Sequence, residues 1–147
     1  MSAVASAVAT TLVTGASAFD RDSAIAAALR QQPDDQHSEQ PGQGGVAIIL
    51  EGLADPTSPL VDAGFDPAPH IQRIAPGCLC CAGNLVLRVT LNRLLRRPPA
   101  PLSHLCHLYI SLADATHVGQ LRALLSASPY DALLSLCDDL AAPAGAA

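Results

Sequence analysis

The sequence contains no Trp, no Lys, a single Met, two Phe, two Tyr and only two Glu. The missing Lys excludes any ligand site built on an ammonium group. Because aromatic side chains are scarce, the core must be assembled from 27 Ala, 22 Leu and other small aliphatics. Large side chains supply most of the area buried per residue, so such an interior gains less on folding and implies modest stability. No apolar run approaches the ~20 residues that a membrane helix requires, so a soluble chain with no membrane partner is expected.

The formal charge is -5, from eleven Asp and two Glu against eight Arg. That balance argues against a nucleic-acid partner. The basic residues gather only at Arg88, Arg93, Arg96 and Arg97, which read as cations on the solvated last turns of a helix. Met1 to Ala18 is mostly small and apolar and ends in Ala16-Ser17-Ala18. No basic residue precedes Arg21, however, and Thr10, Thr11, Thr14 and Gly15 interrupt the stretch, so a cleaved export signal is not expected and a cytoplasmic location is. At 147 residues the chain suits one domain, expected over residues 1–140, followed by a disordered Ala-Pro-Gly tail over 141–147. Of the five Cys, Cys78, Cys80 and Cys81 fall within four residues. An odd number, so clustered, points to a thiol or metal site in a reducing compartment rather than a disulfide scaffold.

Along the chain, Val8 to Thr14 is β-branched and ends at Gly15, as a buried strand entering a turn does. Ser23 to Gln32 has helical spacing, with Ile25, Ala28 and Leu29 on one face and Asp22 or Ser23 as candidate cap. Pro33 to Gly45 is polar and reads as a mobile loop. Val46 to Leu50 is a continuous apolar run, the pattern of a strand covered on both faces, and Glu51 stands at its end. Ala54 to Pro69, rich in Pro, reads as loop, and Ile71 to Ile74 as a brief extended piece before the Cys segment.

Leu87, Leu91, Leu94 and Leu95 then repeat at helical spacing until Pro98-Pro99 stops the helix. Leu105 to Leu112 reads as a strand, His117 to Leu125 as a helix, and Ala132 to Cys137 as either. This alternation predicts an α/β fold with a parallel, Rossmann-like sheet flanked by helices, whose ligands sit at the carboxyl ends of the strands.

Three segments carry a resemblance. Gly77-Cys78-Leu79-Cys80-Cys81 precedes an amphipathic helix, Thr11 to Gly15 has the form of a strand running into the first glycine of a phosphate loop, and Val46 to Gly52 is a strand ending in a Glu-containing turn. In this order they resemble the CobW-like branch of the P-loop GTPases, a metallochaperone-like family related to the nickel-insertion GTPases of hydrogenase and urease. The resemblance implies a P-loop-type sheet, truncated relative to the full GTPase domain. It also implies nucleotide-binding positions at Gly15, Arg21 and Ser23.

The departures from that pattern are specific. A working loop needs G-x-x-x-x-G-K-[ST]. Here Asp20 replaces the second glycine, Arg21 the lysine and Asp22 the first hydroxyl position, leaving Ser23 alone as magnesium anchor. Ser111 stands where the family carries an acid and Asp114 where it carries a glycine, and no Asn-Lys-x-Asp guanine reader is present. GTP and magnesium are therefore not expected as cofactors, and no catalytic residue is assigned.

The chemistry that remains is metal handling. Cys78, Cys80 and Cys81 offer three thiolates, with Glu51, His70 or water as fourth donor, to zinc or another borderline ion. Glu51 enters because the family's Glu lies near its nucleotide and metal region, and His70 because the Cys segment follows it closely. The partners implied are the metal ion and a protein that receives it. Cys106 and Cys137 read as core residues, and His104, His107 and His117 as ordinary polar positions. A residual GTP hydrolase and a ligand-free interaction remnant are the competing expectations.

Overall fold

The computed structural model of the chain describes residues 8–31, 45–52, 60, 70–74, 85–96, 105–113, 116, 118–127 and 130–142. Ten elements run β1 (Val8–Thr14), α1 (Ala18–Gln31), β2 (Gly45–Glu51), β3 (His70–Ile74), α2 (Leu85–Arg96), β4 (Leu105–Ser111), α3 (Val118–Leu125), α4 (Tyr130–Leu133), β5 (Leu134–Leu136) and β6 (Leu140–Ala141). The strands form one sheet in the order β3-β2-β4-β1-β5, with β6 also paired to β1. Every pairing is parallel. The expected α/β fold with a parallel sheet flanked by helices is the fold observed.

Both faces of the sheet are covered, which explains why β2 reads as an unbroken apolar run from Val46 to Leu50. Side chains alternate between faces along each strand. Val13, Ile48, Leu50 and Tyr109 pack with Ile25 and Ala26 of α1. Leu12, Ala47, Ile49, Leu108 and Ile110 pack on the other face with Leu87, Leu91 and Leu94 of α2 and Leu121 and Leu125 of α3. Ile48 and Ile49 are both fully buried although they point to opposite faces, and each contributes roughly 1.5–3 kcal/mol of burial.

The order of the strands places a topological switch between β1 and β4. The chain leaves β1 through α1 toward β2, whereas it leaves β4 through α3 and α4 toward β5. Adjacent strands whose connections diverge to opposite faces open a crevice at their carboxyl ends.

Several sequence expectations shift. Helix α1 begins at Ala18, five residues before Ser23. The segment Ala132 to Cys137 is both alternatives in succession, a helical turn to Leu133 and a strand from Leu134 to Leu136. The extended piece at Ile71 to Ile74 is a full edge strand with five residues paired to β2. The tail expected to be disordered from Ala141 starts inside the sheet: Thr14 pairs with Ala141, and the Ala142 N–H donates to the Thr14 carbonyl at 2.8 Å. Free hydrogen-bonding groups along the last part of β1 hold these two alanines, whatever their composition suggests. The loop expectations over Pro33 to Gly45 and Ala54 to Pro69 lie outside the described residues, apart from Gly45, which is not loop but the first residue of β2, and Leu60, which is buried against the α1 face.

β5 and β6 share one edge of β1 and are separated by Cys137, Asp138 and Asp139. Arg122 of α3 holds this excursion, donating to the Cys137 carbonyl at 3.4 Å and pairing with the Asp139 carboxylate. Among the described residues, no helix is long and apolar enough to cross a membrane.

Two substitutions separate core from surface contributions. Leu12→Ala, at a fully buried site, is expected to cost about 2–5 kcal/mol. Arg122→Ala breaks a pair whose side chains are 38% and 35% exposed and is expected to cost no more than about 1 kcal/mol. Urea unfolding midpoints of the two variants measure both, and a reversed order would contradict the packing described.

Candidate functional site

The crevice between β1 and β4 is built first by the way β1 ends. Gly15 follows the strand, and a Cβ there would lie 2.8 Å from the Ala142 Cβ and 3.0 Å from the Arg21 Cγ. Close approach of two neighbours therefore excludes a side chain at this position. Ser17 then caps α1: its Oγ accepts from the Asp20 N–H at 3.1 Å, and its carbonyl accepts from the Arg21 N–H at 3.1 Å. A Ser cap with an acidic residue three positions later is a helix-start signature, and Asp20 also complements the positive end of the helix. Neither Asp22 nor Ser23 is the cap. Both lie within the helix, past its first turn.

This early start removes the phosphate loop that the resemblance implies. Amides that would cradle a polyphosphate must point into an open loop, but residues from Ala18 onward are helical and the Asp20 and Arg21 amides are already bonded to Ser17. Arg21 occupies the remaining space. Its Nε donates to Ser111 Oγ and its Nη1 to the Gly15 carbonyl, both at 3.0 Å. The residue is only 5% exposed, and no carboxylate among the described residues pairs with it. The residues present thus do not fit a nucleotide phosphate.

The expected nucleotide positions are only partly brought together. Gly15 and Arg21 meet in the crevice, whereas Ser23 lies two residues further along α1, turned roughly 200° from Arg21 about the helix axis. Ser23 is half-buried, and Asp22 is buried among the residues facing the sheet.

Glu51 holds the opposite side of the same region. It ends β2, is 6% exposed, and its Oε1 accepts from the Ala113 N–H at 2.7 Å. The next residue, Gly52, turns the chain away with φ of 137° and donates its N–H to the Ile74 carbonyl at 2.9 Å. That conformation strongly favours glycine. Residues 111–113 are consequently held from three elements: α1 through Arg21, β1 through the Leu112 N–H donating to Val13 at 2.9 Å, and β2 through Glu51.

Cys78, Cys80 and Cys81 lie outside the described residues. Their segment follows the carboxyl end of β3, Cys78 being four positions after Ile74. Glu51 is paired in register with Ile74, while His70 is paired with Ala47 at the amino end of β3. The two expected fourth donors thus sit at opposite ends of the strand pair, about 13 Å apart along it. Cys106 lies in β4. Cys137, expected in the core, is half-buried just past β5, its Sγ 3.8 Å from the Ser135 carbonyl. The strand stops at Leu136, so the thiol falls at the start of the excursion between β5 and β6. His104, His117 and Asp114 are outside the described residues.

A second polar group on the α1 face escaped the sequence reading. The His107 Nε2 and Thr11 Oγ1 share a hydrogen bond of 2.9 Å, and the imidazole stacks on Tyr109 with ring centroids 4.3 Å apart and planes inclined by 13°. The His-x-Tyr alternation was its signal, since residues two apart on a strand share a face. Burial pushes the His107 imidazole below its ordinary value.

The chain matches no protein-family model, no curated protein and no solved structure, so its own geometry carries the interpretation of the site.

The lowered His107 value has a definite sign in stability. Below the ordinary imidazole range the unfolded chain takes up a proton that the folded chain resists, so this contribution is intact above that range and is lost as pH falls toward the depressed folded value. His107→Gln is expected to flatten the fall in unfolding midpoint between about pH 7.5 and 5. An unchanged pH slope in that variant would assign the fall to other groups.

Proposed function

We propose that the chain handles a soft or borderline divalent metal, zinc foremost, through Cys78, Cys80 and Cys81, and that it does so without a nucleotide. The observation that carries this reading is Arg21, whose buried guanidinium bridges the Gly15 carbonyl and Ser111 where a phosphate loop would otherwise open. Phosphoryl transfer depends on charges and magnesium positioned around the phosphates. Here the loop is helical, the guanidinium is engaged elsewhere, Ser23 is turned away and no lysine exists.

The donor chemistry favours the metal. Thiolates bind zinc strongly, and adjacent Cys80 and Cys81 can both serve only from an irregular turn, which Pro76, Gly77 and Gly83 permit. Glu51 is the fourth donor better supported by position, because it stands at the strand end from which the Cys segment departs. Three thiolates with one exchangeable position suit delivery to a protein partner better than storage. In this reading the resemblance to CobW-like GTPases reflects ancestry, the nucleotide machinery having been replaced while metal handling persisted. This reading requires reduced thiols, which suits a reducing compartment such as the cytoplasm.

Zinc content and GTP affinity measured on one purified, reduced sample test the proposal. Zinc is expected to bind near about one equivalent, with release of thiol protons and weakening as pH falls, while GTP shows neither binding nor turnover. Replacing Cys78, Cys80 and Cys81 together with Ser is expected to abolish zinc uptake, and Cys106→Ser and Cys137→Ser to leave it intact. Equal uptake by the triple variant would remove the metal-handling reading, and GTP turnover that disappears on changing Arg21 would overturn its nucleotide-free part.

A further inference from the structure

The geometry points to a guanidinium-binding site at the carboxyl ends of β1 and β4, filled in cis by Arg21 where a sheet of this topology is placed to receive a ligand. This inference is independent of the cysteines and of any metal.

The argument rests on which groups face the guanidinium. The Gly15 carbonyl and Ser111 Oγ, its two partners at 3.0 Å, both accept. At the helix start beside it, the Asp20 and Arg21 amides are bonded to Ser17. If Arg21 were truncated, the vacated space would present the Gly15 carbonyl and the Ser111 hydroxyl.

An anion entering it would face the Gly15 carbonyl, which cannot donate to it. A planar cation with several donors would recover both lost hydrogen bonds. A compact ammonium is a poorer fit, because two acceptors, one just past β1 and one in β4, are satisfied at once by nitrogens spread across a plane. The wild-type side chain thereby clasps the β1–α1 connection to the end of β4. It connects residues 90 positions apart in sequence.

Thermal unfolding of full-length Arg21→Ala tests this directly, with methylguanidinium chloride, methylammonium chloride and sodium phosphate as probes at matched ionic strength. The substitution is expected to lower the midpoint by about 5–15 °C. Methylguanidinium at about 10 mM is expected to restore several degrees to the variant and none to the wild type, and the other two probes to restore neither. A rise with phosphate, or an equal effect of methylguanidinium on both proteins, overturns the inference.

Should Arg21→Ala not fold, the Nε–H of Arg21 in the wild-type chain decides. Its solvent exchange by NMR is expected to be at least about tenfold slower than at an exposed guanidinium, such as those of Arg88 and Arg93, and to quicken in Ser111→Ala. Exchange at the exposed rate in the wild type sinks the proposal.

Discussion

Strand β1 is hydrogen-bonded along both edges, and the rest of the structure is arranged around that constraint. β4 occupies one edge over five registered positions, and β5 and β6 divide the other. Each end of β1 also receives donors from outside the ladders: Cys137 donates to Thr10, Leu112 to Val13 and Ala142 to Thr14. A seven-residue strand so completely paired has little freedom in register, since a one-residue slip would turn its buried Leu12 and Val13 to the wrong faces. The switch point beside it inherits that rigidity.

Buried charge is concentrated close to this spine. Among the described residues, the charged groups that are buried are Arg21, Asp22 and Glu51. Arg21 and Glu51 grip residues 111–113 from opposite sides, using hydrogen bonds to neutral partners. Leaving such groups unmatched in the interior would be costly. Their engagement explains how a core of small aliphatics tolerates them, and it fixes the start of the β4–α3 connection.

The sheet was legible because buried parallel strands leave a simple trace. Val46 to Leu50 read correctly from its continuous apolar run, Leu105 to Leu112 as a strand despite His107 and Ser111, and α2 from its leucine spacing. β3 was faint because an edge strand tolerates Gln72 and Arg73. β6 left no trace, since two residues carry no period and their place is set by Val13 and Thr14, more than 120 positions earlier. The start of α1 was misplaced for a different reason: Asp22 and Ser23 are also capping residue types and stand just before the Ile25, Ala28 and Leu29 face, whereas the cap used is Ser17, more than one turn earlier. The clasp itself was hidden, because Ser111 lies 90 residues from Arg21 and Ala113 lies 62 from Glu51.

The excursion at Cys137, Asp138 and Asp139 also bears on how the molecule meets copies of itself. A foreign strand adding to an open sheet border needs an uninterrupted row of amides and carbonyls at constant spacing. Here the border formed by β5 and β6 is broken into three and two residues, with exposed carboxylates at the break and Arg122 pinning it from α3. Two approaching copies would bring like charges together at the very place where the spacing fails. An interruption that looks like a defect in the ladder thus protects this side of a marginal, alanine-rich fold against amyloid-like stacking.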